Sequence, residues 1–179
     1  MKATGIVRRE DDLGRIVIPK EIRRTFRIKE GDPLEIYTDK DGDVIFRKYS
    51  PMGDLQDFAA QMCDSIGEAT GHVAVISDRD SVIAVHGSAK RELMDKSISE
   101  ELEKLMRDRT HYLFNKGEKR IPAAAGNEKF HLGAAAPILS QGDLMGCVML
   151  LDDGNGSFGP GEQILLKTAA GFLGKQMEQ

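Results

Sequence analysis

The sequence contains no tryptophan and only two cysteines, and this shortage excludes two kinds of site. Cys63 and Cys147 lie far apart in the chain and have no CxxC or HxxxH companion. A disulfide framework and a zinc site are therefore not expected. Cys147 stands in an apolar run, which predicts a small core residue, and a redox role is the less favoured interpretation of Cys63.

Long apolar runs are also missing. No window approaches about 18 uninterrupted apolar residues, so a membrane span is not expected. The N-terminus reaches its arginines and acids before the apolar core of a signal peptide can form. These absences predict a cytoplasmic protein.

Catalytic and cofactor-binding motifs are not apparent. The four histidines are scattered without ligand spacing, so no metal site is predicted. The glycines in the segment 154–156 precede a helix signal but lack the Lys-Ser/Thr pair of a phosphate-binding loop. Because no nucleophile lies beside a base and an orienting group in any known motif, neither an enzyme nor a bound cofactor is expected.

Charge is present but unevenly spread. The whole chain carries a formal net charge of −4. Residues 1–29 hold nine Lys or Arg and four acids, whereas residues 54–179 hold 13 Lys or Arg and 19 acids. A basic N-terminal part on an acidic remainder predicts a local site for a polyanion.

The densest basic stretch runs from Arg8 to Arg24 and reads RREDDLGRIVIPKEIRR. Short strands are predicted at residues 2–9 and 16–18 because β-branched residues recur there, with Asp and Gly turn chemistry between them. Pro19 is suited to the first position of a helix, which is predicted to extend to Arg27.

The next segment predicts a β-hairpin. Residues 34–38 and 44–49 are strand-like and flank an Asp-Gly turn. A segment of about fifty residues with such short elements buries too little apolar surface to be stable alone. We therefore expect a first domain at residues 1–50 that completes its core with a second copy, followed by a linker at 51–54.

Residues 55–179 predict a helix, a mainly antiparallel sheet with inserted helices, and a closing helix. Strands are expected at 73–76, 82–85, 130–139 and 144–151. Helices are expected from about Leu55 to Gly71, at 88–95, at 98–114 and from Pro160 to the C-terminus. The chain as a whole is thus predicted to be a two-domain α+β protein.

A family resemblance becomes evident at LGRIVIPKEIRR. Residues 1–50 resemble the N-terminal DNA-binding domain of the AbrB family of bacterial transition-state regulators. The second half resembles a GAF sensor domain, with PILSQGDLMGCVMLL as its most typical piece. The two halves in this order are similar to a family of sporulation regulators in spore-forming Firmicutes.

The resemblance implies a function and a fold for the first domain. The implied fold is a swapped-hairpin β-barrel made from two interleaved chains. The implied partner is double-stranded promoter DNA, so the chain would activate and repress sporulation genes. The implied DNA contacts are Arg8, Arg15, Arg23 and Arg24.

Further basic residues are candidate DNA contacts. A guanidinium fork matches phosphate oxygens and the guanine edge, so arginine clusters on a rigid surface favour DNA. Arg9 stands where the family often has Lys, so the positive charge is kept at this position. Lys2 and Lys20 are plausible phosphate partners. Asp11 and Asp12 could suggest a metal pair, but we expect them to hold the loop and its arginines through charge-assisted hydrogen bonds.

Two interpretations remain open for the helices that begin and end the second half. Apolar residues recur along each with a heptad-like spacing, which fits either packing on the domain's own sheet or contact with another chain. The second interpretation makes the GAF-like domain an assembly module and the protein a homotetramer. Its predicted contact residues are Leu55, Phe58, Met62, Ile66, Leu166, Leu173 and Met177.

Two other functions remain as alternatives. One is a ligand sensor whose DNA binding is secondary, since a GAF-like domain can take a small molecule that the fold does not identify. The other is an antitoxin, because AbrB-type barrels also occur in toxin-neutralising proteins. Those usually end in a disordered toxin-binding tail, whereas an ordered domain is predicted here.

Overall fold

A computed structural model describes residues 5–50, 52, 55–152, 154 and 156–178. The chain divides into two compact units, which we call the N-terminal unit, Met1–Tyr49, and the C-terminal unit, Ser50–Gln179. Of the predicted linker at 51–54, only Met52 lies within the described residues, and it is buried in the core of the C-terminal unit.

Residues 5–49 of the N-terminal unit form one short helix and one hairpin. Helix α1 is Lys20–Thr25, with Pro19 directly before it. Strands β1, Leu34–Thr38, and β2, Val44–Lys48, pair antiparallel as predicted. Asp39 closes the hairpin because its carboxylate accepts hydrogen bonds from the backbone amides of residues 41 and 43.

The strands predicted at 2–9 and 16–18 are wrong for the single chain. Residues 5–9 and 16–18 are irregular, and residues 2–4 lie outside the described part. A strand needs a hydrogen-bonded neighbour, and the single chain pairs only β1 with β2 among the described residues of this unit.

Burial differs sharply between the two units. Residues 5–49 include no buried residue, and most of their large apolar side chains are exposed. The exposed members are Ile6, Val7, Leu13, Ile16, Val17, Phe26, Ile36, Tyr37, Val44, Phe46 and Tyr49. The described residues of this unit therefore form no buried core within the single chain.

The described residues of the C-terminal unit form four helices and six strands. Its helices are α2, Gln56–Thr70; α3, Lys90–Leu93; α4, Glu100–Arg107; and α5, Pro160–Gln176. Its strands are β3, Val73–Asp78; β4, Val82–Val85; β5, Tyr112–Leu113; β6, Pro122–Ala124; β7, Asn127–Ser140; and β8, Asp143–Asp152. The helices that the structure describes lack the length and apolar composition of a membrane span.

The six strands form one sheet whose pairings are antiparallel. Its order is β4-β3-β8-β7-β5, and β6 also pairs with β7. One face packs against α2 and α5 around Ile76 and Leu150. The opposite face packs against α3 and α4 around Met149 and Leu151. The antiparallel sheet flanked by helices is the architecture that the sequence predicts.

Two predicted helices are much shorter than expected. The helix predicted at 98–114 ends at Arg107, because Arg109 adopts a left-handed conformation and Tyr112 pairs with Ala135 of β7. Its predicted start is confirmed, since the hydroxyl of Ser99 accepts a hydrogen bond from the Leu102 amide. The helix predicted at 88–95 is reduced to the four residues of α3.

Candidate nucleic-acid interface

The loop at 11–15 is built around the carboxylate of Asp11. Its Oδ1 accepts hydrogen bonds from the backbone amides of Leu13, at 3.0 Å, and Arg15, at 2.9 Å. The Asp11 amide donates to the Arg15 carbonyl at 3.1 Å. Gly14 takes a positive φ of 71°, which glycine adopts at little cost. The side chain and the amide of Asp11 therefore hold the two ends of the loop together.

The same carboxylate also holds the Arg15 side chain. Nε of Arg15 donates to Asp11 Oδ2 at 2.7 Å, while 69% of the arginine side chain stays exposed. The hydrogen bonds from the Arg15 amide and then its guanidinium hold the pKa of Asp11 below its ordinary value of 3.8. Asp11 therefore stays ionised near neutral pH. The structure confirms for Asp11 the loop-holding role predicted from the sequence.

Helix α1 presents Arg23 and Arg24 in its last turn. Both are exposed, and Glu21 occupies the first turn, where a negative charge is favoured by the helix dipole. The helix ends when Arg27 adopts a φ of 51°. The amides of Ile28 and Arg27 then donate to the carbonyls of Arg23 and Arg24, which is the hydrogen-bond pattern of a Schellman motif.

The helix end is tied to the hairpin by Lys48 of β2. Its ammonium donates to the Arg27 carbonyl at 3.2 Å and lies 3.2 Å from the carboxylate of Asp32. Asp32 in turn accepts a hydrogen bond from the Lys29 amide at 2.9 Å. These contacts fix the backbone that carries the two helical arginines.

The remaining predicted contacts are less constrained. Arg8, Arg9 and Lys20 are exposed, and a guanidinium nitrogen of Arg8 donates to the Val7 carbonyl. Lys2 lies outside the described residues. The predicted DNA contacts are thus presented at the surface wherever the structure describes them.

The roles of Arg27, Asp32 and Lys48 did not follow from the sequence. Helical periodicity alone predicts that α1 continues through Arg27, whereas the residue is the left-handed one that ends it. Lys48 is 21 positions away from Arg27, so no local pattern links the two. The one local indication in the sequence is the Gly-Asp-Pro at 31–33, which predicts the turn that contains Asp32.

An open apolar groove lies between α2 and α5 in the C-terminal unit. It has a volume of about 250 Å³, and we call it the α2–α5 groove. Phe58 and Phe172 meet beside it, with their ring centroids 5.7 Å apart. The residues that line it are Met62, Ser65, Ile66, Leu165, Thr168, Ala169 and Phe172.

The predicted assembly residues fall into two groups. Ile66, Leu166 and Leu173 are buried against the unit's own sheet, at 2%, 0% and 0% exposure, so they are core residues of this unit. Leu55, Phe58, Met62 and Met177 are only partly buried. Of the two interpretations of the heptad-like spacing, packing on the domain's own sheet therefore holds for the first group.

The cysteines lie in the core of the C-terminal unit. Burial raises the pKa of Cys63 to about 12, and its thiol donates to the Ala74 carbonyl. Burial also raises the pKa of Cys147. The Cys147 side chain is fully buried, which confirms the prediction of a small core residue. In the part of the chain that the structure describes, no cluster of three His, Cys, Asp or Glu is arranged to hold a metal ion.

Comparison with protein families also divides the chain into two parts, which meet at residue 54. Residues 54–178 match the model described as stage V sporulation protein T C-terminal, transcription factor. Residues 7–54 match the model of MazE, a bacterial antitoxin described as antidote-toxin recognition.

Curated relatives cover either the whole chain or its first part. Stage V sporulation protein T of Bacillus subtilis is 49% identical over 180 residues, which cover 100% of both chains. The transition state regulatory protein AbrB of the same organism is 61% identical over 51 residues, which are 28% of this chain and 52% of that protein.

A solved structure is similar to the C-terminal unit. The GAF domain/HD domain protein from Geobacter sulfurreducens aligns with a TM-score of 0.51 at 14% identity, covering 73% of this chain and 99% of that one. This likeness confirms the GAF-like fold and says nothing about a ligand. The full-length identity and the match over residues 54–178 show that the chain belongs to the stage V sporulation protein T family of transcription factors.

Proposed function

We propose that this transcription factor binds the promoters of sporulation genes through arginines on a face made by two N-terminal units. Arg15, Arg23 and Arg24 would be the principal contacts. Arg8 joins them, and Arg9, Lys2 and Lys20 add phosphate contacts. The protein would activate some promoters and repress others. It would act in the cytoplasm, where the chromosome lies.

One observation carries the proposal: arginines on a fixed backbone are exposed on a unit that buries none of its described residues. Asp11 orients the guanidinium of Arg15, and a helix with a capped C-terminus fixes the backbone positions of Arg23 and Arg24. Guanidinium groups suit both phosphate oxygens and base edges, because each presents donors in a planar fork. A merely solvated charged surface needs no such fixing.

The need of the N-terminal unit for a second copy supports the same conclusion. The exposed apolar side chains of residues 5–49 need to be covered, and the irregular segments at 5–9 and 16–18 are rich in residues that favour strands. Pairing these segments with the same segments of another chain would give the closed barrel that the family resemblance implies. The arginines of both chains would then share one face with two-fold symmetry, which matches a duplex.

The C-terminal unit would assemble two such dimers. Phe172 is 43% exposed beside the α2–α5 groove, and Ile164 on the same helix is 64% exposed. A second copy of α2 and α5 would cover this apolar surface. A tetramer with two DNA-binding heads follows if the two contacts join different chains, and bivalent binding would raise the apparent affinity. The C-terminal unit would serve assembly and signal reception rather than catalysis.

The antitoxin alternative rests on the match of residues 7–54 to the MazE model. The segment that follows in this chain is the folded C-terminal unit, which matches a transcription-factor family. Regulation of transcription is therefore the better-supported function.

The proposal is tested by a gel-shift assay with Arg15→Ala and Arg23→Ala. Both variants are expected to lose promoter binding while their mass in solution stays that of the wild type. Arg79→Ala, in the β3–β4 turn of the C-terminal unit, is the control and should bind normally. Normal retardation by both N-terminal variants would overturn the site.

A further inference from the structure

A carboxylate stands within the most basic segment of the chain. Asp11 lies between Arg8 and Arg15 in sequence, and the hydrogen bonds from Arg15 lower the pKa of its carboxyl. A fixed negative charge repels phosphate, so on general attraction to DNA alone it is unfavourable. Its contacts explain what it contributes instead.

The two carboxylate oxygens of Asp11 accept hydrogen bonds from different groups. Oδ1 accepts from the amides of Leu13 and Arg15 and so shapes the loop backbone. Oδ2 accepts from Nε of Arg15 at 2.7 Å and so orients the guanidinium. The first function is structural, and the second acts on a side chain that is otherwise exposed.

The bond to Nε selects which edge of the guanidinium faces outward. An arginine can present a fork made by Nε and one Nη, or a fork made by its two Nη groups. With Nε engaged by Asp11, the pair of Nη groups is the edge that remains for a ligand. This edge matches O6 and N7 of guanine bidentately.

Orientation matters for bases more than for phosphates. A phosphate offers several oxygens and attracts a cation from many directions, whereas a base edge must be met in one plane. We propose that Asp11 is a positioning residue that directs the Nη edge of Arg15 toward a base edge and so sets sequence discrimination. This inference rests on the proposed function in one respect, which is that Arg15 contacts DNA.

One substitution separates the two functions of the carboxylate. Asp11→Asn keeps Oδ1 as an acceptor for the Leu13 and Arg15 amides, but its amide nitrogen cannot accept a bond from Nε. Asp12→Asn is the matched control, because it makes the same change of charge in the same loop while the loop hydrogen bonds go to Asp11. Any effect of net charge alone is common to both variants.

The experiment measures discrimination with the full-length protein. A preferred duplex is selected from a random library with the wild type, and its affinity is compared with that of an unrelated duplex of equal length. Asp11→Asn should lower the ratio of the two affinities about tenfold, the effect of one lost bidentate base contact. Asp12→Asn should keep the wild-type ratio, and the two variants should bind the unrelated duplex equally.

Two further variants test whether Asp11 acts through Arg15. Arg15→Lys keeps the charge without a fork, so it should lose discrimination while it still binds the unrelated duplex. In an Arg15→Lys background, which still binds DNA but has no guanidinium fork, Asp11→Asn should cause no further fall in the ratio of the two affinities. An unchanged ratio in Asp11→Asn, or an equal loss on both duplexes, would overturn the inference. Failure of Arg15→Ala to weaken binding would instead overturn the proposed function.

Discussion

The ammonium of Lys48 lies 3.2 Å from the carboxylate of Asp32 and, at the same distance, donates to the carbonyl of Arg27. This pair is mostly buried, with side-chain exposures of 22% and 12%. It connects the hairpin to the end of the helix that carries Arg23 and Arg24. A residue with no predicted contact to DNA therefore supports the helix that carries two of the proposed DNA contacts.

Replacing Lys48 with Met should destabilise this connection. The variant leaves Asp32 with one partner fewer, which we expect to cost about 1 kcal/mol in the free energy of unfolding. Urea denaturation at fixed protein concentration measures the change. Lys40→Met, in the exposed hairpin turn, is the control and should differ from the wild type by less than about 0.5 kcal/mol. Equal stabilities for the two variants would contradict the role of Lys48.

Two glycines of α5 should respond oppositely to alanine. A Cβ at Gly174 would overlap the backbone oxygen of Leu139, so Gly174→Ala should destabilise the protein by about 1–3 kcal/mol. Gly171 has nothing within 4 Å of the corresponding position, so Gly171→Ala should stabilise the helix by up to about 1 kcal/mol. Thermal unfolding distinguishes them. Destabilisation by both substitutions would show that Gly171 is also in close contact.

The α2–α5 groove predicts a specific effect on assembly. Phe172→Asp places a charge on its exposed rim, so we expect the mass in solution to fall by about half while the fold is kept. Lys175→Asp, at an exposed position of the same helix outside the groove lining, should leave the mass unchanged. Light scattering after size exclusion measures both. An unchanged mass in Phe172→Asp would contradict assembly through this surface.

The burial of Cys63 predicts that its thiol reacts slowly and that the free energy of unfolding falls at high pH. With a pKa raised from 9.0 to about 12, the thiol stays protonated at pH 8 and should react with a disulfide reagent far more slowly than in urea. The associated stability is fully present below pH 9 and is lost as pH rises toward 12, because only the unfolded thiol ionises in that window. Cys63→Ala should reduce the fall in the free energy of unfolding over this range. Rapid labelling of the native protein at pH 8 would contradict this burial.

Local signals predicted most elements of the C-terminal unit. Gly71 ends α2 in a left-handed conformation, and Ser99 caps α4, as their residue types indicate. The helix predicted through Phe114 failed for a non-local reason. Tyr112 and Leu113 pair with residues of β7 that lie much later in the chain. No local pattern in the sequence indicates a pairing between residues so far apart.

The N-terminal unit shows a different limit. Ile6 and Ile16 have the β-branched side chains of strands, but a strand needs a partner that the single chain does not provide. The arginines could be identified from their motif, whereas the bond between Asp11 and the Arg15 side chain required coordinates. The heptad-like spacing could not separate core from interface, because Ile66 and Met62 lie on adjoining parts of one apolar face.

The salt dependence of promoter binding tests the central claim most directly. If the arginine face neutralises phosphates, the logarithm of the affinity should fall linearly with the logarithm of salt concentration, by about a thousandfold between roughly 50 and 200 mM. Arg24→Ala should make this slope shallower, whereas Arg79→Ala should leave it unchanged. An affinity that stays flat over this range, or the same slope in Arg24→Ala and the wild type, would contradict DNA binding through the arginines of the N-terminal unit.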